Sequence, residues 1–419
     1  MSIQFSKHIL KNGLKVIIHP DKTTPLVSCN VVYNVGSRDE EPDHTGMAHL
    51  FEHFMFCGSK HIPDYDGNLQ KVGAINNAYT SQDITHYYII LPANNLETAL
   101  WLESDRMLEL AFDEEQLQIQ KQVVIEEFKE NYLNRPFGNL WKHFNGLMYE
   151  KHPYQWLPIG KEISHIEEVT MDYVKAFYYR FYRPNNAVLA ISGNVDEDKV
   201  MPLVEKWFGN IPAGTSLTKN YPVEELQTAP RFLQIEEDVP YDLLLKGWLM
   251  CERLHPNFYA HDLISDILGN GRSSYLYKKF VVEEQLFTNL SCQVADTFGQ
   301  GYFVIMGTPV RGVSLAEADT KLSEYLYNFK YPDTLPHDLQ KVKNRVETIL
   351  LNNEIKIEDR SSMLAVSETL SRAEDFEQEK EKYFSVTEDM VKSLTQSFLK
   401  EETGNTLRYL RHQHIDLTK

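Results

Sequence analysis

The sequence is poor in cysteine. Cys29, Cys57, Cys251 and Cys292 are scattered through 419 residues, and no two form a CxxC pair. That excludes a disulfide framework and fits a reducing compartment. Basic residues are also in short supply, with 42 Lys and Arg against 60 Asp and Glu, a net charge of −18. Such a balance lacks the basic footprint that binding to nucleic acid or to an anionic membrane surface requires. No apolar run reaches about 18 residues, so no transmembrane helix is expected. The opening MSIQFSKHILKNGLKV lacks the charged, apolar and small-residue sections of a signal peptide. The expected location is therefore cytoplasmic, or periplasmic if a signal has been removed.

What remains is ample for a folded core. Hydrophobic residues make up 42% and charged residues 24%, which places the chain among globular proteins. Its length suggests about two to four domains. Asn12-Gly13 between two apolar runs predicts a hairpin over 8–19. Residues 26–35 read as a strand, 46–56 as a helix stopped by Gly58, and 73–91 as paired strands. Apolar positions at helical spacing predict helices over 95–110 and 113–133. Residues 184–195 read as turn, buried strand and exit. The stretch 210–230, with three prolines among polar residues, predicts a boundary.

Beyond that boundary the order repeats. A strand at 243–250, a helix at 258–268, a strand at 301–307, a helix at 314–328 and a long helix at 337–352 follow the first half after about 220 residues, the mark of an internal duplication. The expected fold class is α+β, with two similar tandem domains, each a mainly antiparallel sheet covered by helices. The expected division is 1–212, a linker at 213–230, and 231–419.

The chemistry concentrates in His49-Leu50-Phe51-Glu52-His53. Histidines four apart on a helix stand on one face, one turn above the other, and can share a Zn²⁺. Glu52 lies beside them and can take a proton from a metal-bound water without being a ligand. A catalytic zinc needs a third protein ligand and an open position. The helix over 113–133 offers Glu126, Glu127 and Glu130.

The blocks Gly36-Ser37-Arg38-Asp39-Glu40, Gly46-Met47-Ala48-His49-Leu50-Phe51-Glu52-His53-Phe54-Met55-Phe56, Gly73 to Thr80, Val123 to Glu127, His152-Pro153-Tyr154 and Tyr182-Arg183-Pro184-Asn185-Asn186-Ala187 occur in this order. Together they resemble the pitrilysin or insulinase family of zinc metallopeptidases, whose signature is the inverted HxxEH. The resemblance covers the first half, and reaches the second mainly in layout and in Gly271 to Tyr277. It implies His49, His53 and Glu127 as zinc ligands and Glu52 as general base. It also implies an edge strand carrying Asn77 and Ala78 that holds a peptide in extended form. Glu130 is the fallback ligand. Many relatives carry a second Glu where this sequence has Gln120, and the Arg and Tyr with which larger members grip substrate are not identifiable here. Ile349 falls where Glu127 would repeat, so one site per chain is expected.

The implied function is a zinc-dependent endopeptidase. It would cut short unfolded peptides or presequences within a chamber, working as a homodimer or as a heterodimer with a related chain. The alternative is a catalytically silent subunit, or one that depends on its partner.

Overall fold

The first hairpin forms where Asn12-Gly13 requires it. In the computed structural model, which describes residues 3–225 and 227–412, β1 (Ser6–Ile9) pairs antiparallel with β2 (Lys15–Pro20). Gly13 takes φ +87°, an angle that glycine adopts freely and other residues rarely. The remaining strands are β3 (Leu26–Tyr33), β4 (Ile75–Thr80), β5 (Thr85–Pro92), β6 (Ala187–Gly193), β7 (Arg231–Glu237), β8 (Leu243–Leu249), β9 (Phe287–Val294), β10 (Tyr302–Pro309) and β11 (Asn405–Arg411). The helices that matter below begin with α1 (Met47–Phe54), α2 (Leu96–Leu108), α3 (Glu114–Phe128), α4 (Leu140–Met148) and α5 (Met171–Phe181). They continue with α6 (Phe258–Gly269), α7 (Leu315–Tyr327), α8 (Leu335–Asn353), α9 (Ile357–Leu370) and α10 (Glu388–Phe398).

The strands form two sheets. The first has the order β1-β2-β6-β3-β5-β4 and the second β7-β11-β8-β10-β9. Among the described residues, only β2/β6 and β7/β11 pair in parallel; every other neighbour is antiparallel. Apart from β1, the two orders correspond strand for strand. The fold is thus α+β with two similar domains, and the repeat read from the sequence is present in the topology.

The domains are not continuous stretches. One compact unit takes residues 1–129, 156–222 and 350–379; the other takes 130–155, 223–349 and 380–419. The expected division into 1–212 and 231–419 is corrected on this point, although the boundary near 222 falls inside the expected linker. The cause is an exchange of helices. α9, from the second half, packs across β2, β3 and β6, and α4, from the first half, packs on β7, β8 and β11.

The two exchanged helices are held differently. On the first sheet, successive residues of β3 alternate between its two faces. Asn30 turns toward α9, where its amide donates to Ser361 Oγ at 2.7 Å and to Ser28 Oγ at 2.8 Å. His86 Nε2 meets Asn30 Oδ1 at 2.7 Å, Arg360 pairs with Asp21 at 2.5 Å, and Glu368 takes Lys7 and Lys15. On the second sheet, Leu140, Phe144 and Met148 of α4 join Leu245, Val304, Leu407 and Tyr409 in an apolar cluster. Gly247 lets α4 come close, since a Cβ there would lie 2.5 Å from Phe144 Cζ.

Candidate metal centre

Helix α1 is amphipathic in a way its sequence predicts. Met47, Ala48, Leu50, Phe51 and Phe54 are buried, and Phe51 stacks on Tyr182 with ring centroids 5.0 Å apart. Burying a phenylalanine of this kind contributes about 1.5–3 kcal/mol. With that face fixed, His49, Glu52 and His53 turn to the half-buried side. The helix spans 47–54, slightly shorter than the expected 46–56.

Helix α3 starts at a capped end, where Asp113 accepts from Gln116 N–H at 3.0 Å. The single helix expected over 113–133 ends at Phe128 and continues as a π-helical turn over Lys129–Leu133. Glu127 sits just before that change. Its Oε2 lies 3.7 Å from His49 Nε2 and 3.4 Å from His53 Nε2, and the two Nε2 atoms are 3.3 Å apart. Glu126 points away and pairs with Lys129 at 2.8 Å. Glu130 is not part of the convergence; among the described residues, His49, His53 and Glu127 are the group of ligating atoms so gathered.

These atoms fit a zinc ion. Four ligands at about 2.0–2.1 Å in a tetrahedron stand about 3.3–3.4 Å from one another. The three edges here are 3.3, 3.4 and 3.7 Å, so the triangle needs almost no rearrangement. Two neutral imidazoles and one carboxylate are also the donor set of catalytic zinc. Burial pushes the His49 imidazole down to about 4, against the pull of Glu127, so its ring is neutral near pH 7. The hydrogen bond to His53 holds the Glu127 carboxyl below its ordinary value, keeping it charged. Both are the ligating forms. His49 Nδ1 is buried without a hydrogen-bond partner among the described residues, so packing and not a second hydrogen bond orients that ring.

Glu52 stands beside the triangle. Burial raises its carboxyl pKa, and Thr80 Oγ1 donates to its Oε2 at 2.6 Å. Thr80 ends β4, the edge strand, so this bond ties the carboxylate to that strand. Thr80 belongs to the family-like block but the resemblance implies no role for it; its signal is the period of two, which puts Thr80 and Ala78 on the same face.

Asn77 and Ala78 lie in β4, which has β5 on one side and, among the described residues, no strand on the other. Ala78 N–H is engaged by Asn77 Oδ1 at 2.9 Å, so it points away from β5. In an antiparallel pair such a residue turns both its N–H and its C=O to the open edge. Gln120, two turns before Glu127, hydrogen-bonds to Cys57, whose thiol is pushed up to about 11 by burial.

Comparison with known proteins identifies the family. Residues 15–144 match the family described as "Insulinase (Peptidase family M16)", and residues 168–346 match "Peptidase M16 inactive domain". The zinc protease PqqE of Helicobacter pylori is 30% identical over 356 residues, 82% of this chain and 79% of that one. The probable mitochondrial-processing peptidase subunit beta of Schizosaccharomyces pombe is 26% identical, covering 71% and 68%. A crystal structure of a protease from Helicobacter pylori superposes with a TM-score of 0.87 at 26% identity, over 97% of this chain and 100% of that one. A one-helix HxxEH face, a glutamate brought in from a second helix, and a match running through both halves of the chain together mean that this protein belongs to the M16, or insulinase, family of zinc peptidases.

Proposed function

We propose that the chain is a zinc-dependent endopeptidase acting on short unfolded peptides or presequences. His49, His53 and Glu127 hold the metal, Glu52 is the general base, and the edge of β4 at Asn77 and Ala78 holds the substrate. The observation that carries this reading is the ligand triangle with Glu52 at its side.

A bound Zn²⁺ supplies Lewis acidity, polarising a carbonyl oxygen and acidifying water. The chain's own residues do the rest. Glu52, partly desolvated and with one oxygen on Thr80, takes a proton from water during attack on the scissile carbonyl and returns it to the leaving amine. The open edge of β4 offers main-chain N–H and C=O groups to a peptide laid down as an added strand. Such pairing needs an extended chain, which selects unfolded peptides over folded proteins. Because Thr80 belongs to β4 and bonds Glu52, the base and the substrate strand keep a fixed register. Pairing with a second copy or a related chain is part of the proposal, supported by the peptidase-subunit name of one relative.

Digestion of a mixed peptide library by the wild type and by Glu52→Gln, each with its zinc content measured, tests the reading. Glu52→Gln is expected to keep stoichiometric zinc and lose about 10²–10⁴-fold in turnover. Zinc in both proteins with cleavage by neither would favour a silent or partner-dependent subunit instead.

A further inference from the structure

An eight-residue helix cannot hold itself in place, so something must fix the N-terminus of α1. Its N-cap residue is Gly46, which has no side chain to offer and takes φ +88°. A Cβ there would lie 2.7 Å from Ile159 O and 2.8 Å from Ile166 Cδ1, so no capping residue can replace it. The cap comes instead from Glu40. Its Oε2 accepts Gly46 N–H and its Oε1 accepts Ala48 N–H, each at 2.9 Å. Glu40 is only 5% exposed, and both of its oxygens are used. Burial pushes its carboxyl up, while the two amides and Trp156 favour the charged form. A carboxylate receiving helix amides at the positive end of the helix dipole is a strong anchor.

The same stretch grips the substrate strand. Ser37 N–H donates to Ser81 O at 3.2 Å and Arg38 N–H to Gln82 O at 3.0 Å. The Arg38 side chain pairs with Asp83 at 2.5 Å, with both groups buried. Residues 81–83 lie in the turn, 81–84, that joins β4 to β5. Asp39 between them takes Lys219 Nζ at 2.9 Å and Tyr221 O–H at 2.8 Å. Three consecutive side chains thus tie the start of α1, the end of β4 and residues 219–221 to one another.

We propose that Glu40 is a positioning residue, which sets His49, Glu52 and His53 against Glu127 and against β4 without touching metal or substrate. This rests on the reading that those residues bind zinc. Ala48, which Glu40 holds, is the residue before His49, and so a displaced carboxylate is passed directly to the ligand triangle.

The test compares Glu40→Gln, Glu40→Asp and, as a control, Glu368→Gln. Glu368 is also a buried carboxylate of the same unit and accepts Ala373 N–H, but it belongs to the last turn of α9 and does not touch α1. Each variant is measured for zinc affinity by chelator competition, for the visible spectrum of its Co²⁺ form, for melting temperature, and for kcat and KM. Glu40→Gln is expected to bind zinc about 10–100-fold more weakly, the range for a lost orienting partner, with an altered Co²⁺ spectrum and a fall in kcat larger than any rise in KM. Glu40→Asp, which keeps the charge on a shorter arm, should fall between it and the wild type, and it serves alone if Glu40→Gln does not fold. Glu368→Gln should lower the melting temperature without moving zinc affinity or the spectrum. Unchanged affinity and spectrum in a folded Glu40 variant, or an equal change in Glu368→Gln, would overturn the proposal. A wild type that binds no zinc would overturn the metal assignment and this proposal with it.

Discussion

The two units are built on one plan, and they diverge at the position where chemistry is placed. In the first, Lys121 of α3 donates to Glu167 O at 2.5 Å and Val169 O at 3.0 Å, just before Thr170 caps α5. In the second, Lys343 of α8 donates to Phe384 O at 2.9 Å and Val386 O at 2.6 Å, just before Thr387 caps α10. Burial lowers the pKa of both lysines. Six residues after Lys121 stands Glu127, facing two histidines. Six residues after Lys343 stands Ile349, an exposed apolar side chain. The scaffold is common to both units, and the proposed metal ligands stand in one of them. The exchanged helices differ in the same spirit, polar and ionic under α9 and apolar under α4.

The largest expected effect lies on the apolar side of that contrast. Phe144→Ala should cost about 3–5 kcal/mol, because it opens a cavity in the cluster that seats α4. Urea unfolding followed by tryptophan fluorescence measures it, and a loss under 1 kcal/mol would mean that α4 is not anchored there. Next comes the ligand position. Glu127→Gln should weaken zinc binding by about 100-fold or more, beyond the range for residues that only orient a ligand. Ile349→Gln should leave zinc untouched, and Glu126→Gln likewise. Equal effects at 126 and 127 would show that the wrong neighbour has been chosen.

The paired lysines sharpen the comparison further. Lys121→Met and Lys343→Met each strand one buried and one part-buried carbonyl, and each should cost about 1–3 kcal/mol. Only Lys121→Met, in the helix that carries Glu127, should also lower zinc affinity. If both variants lower it alike, the two units do not behave as separate frames. The smallest effect is expected for Ser361→Ala, about 1 kcal/mol, since it removes the bond accepted from Asn30 and a longer one donated to Ala190 O. A cost as large as that of Phe144→Ala would erase the polar-versus-apolar distinction.

Much of this architecture could be read from the residues. The Asn12-Gly13 hairpin and the HxxEH helix follow from turn chemistry and helical spacing, and the resemblance singled out Glu127, while the roughly 100° between helix neighbours sets Glu126 on another face. The duplication was visible as order alone. What escaped has physical reasons. Strands β7, β9 and β11 mix polar residues with apolar ones, as in FTNLSCQV, so neither period stands out. Helix α9 buries Ser361, Leu364, Ala365 and Glu368, a face too polar to announce itself. Its place on the first sheet depends on partners more than 150 residues away, which no local pattern encodes. Glu40 looked like one acid among several in a polar loop, because its partners are backbone amides, and those leave no trace in a sequence.

The exchange of α9 also bears on how the protein is made. The first sheet has all its strands once β6 ends at Gly193, but the helix that covers Asn30 and Ser28 ends at Leu370. At common synthesis rates those further residues take roughly 10–40 s to emerge. During that time the nascent first unit presents a bare polar sheet face, and the histidines and Glu127 sit in a half-assembled frame. The unit that carries the HxxEH helix, although first in the sequence, is completed late, when the ribosome has nearly finished the second unit as well.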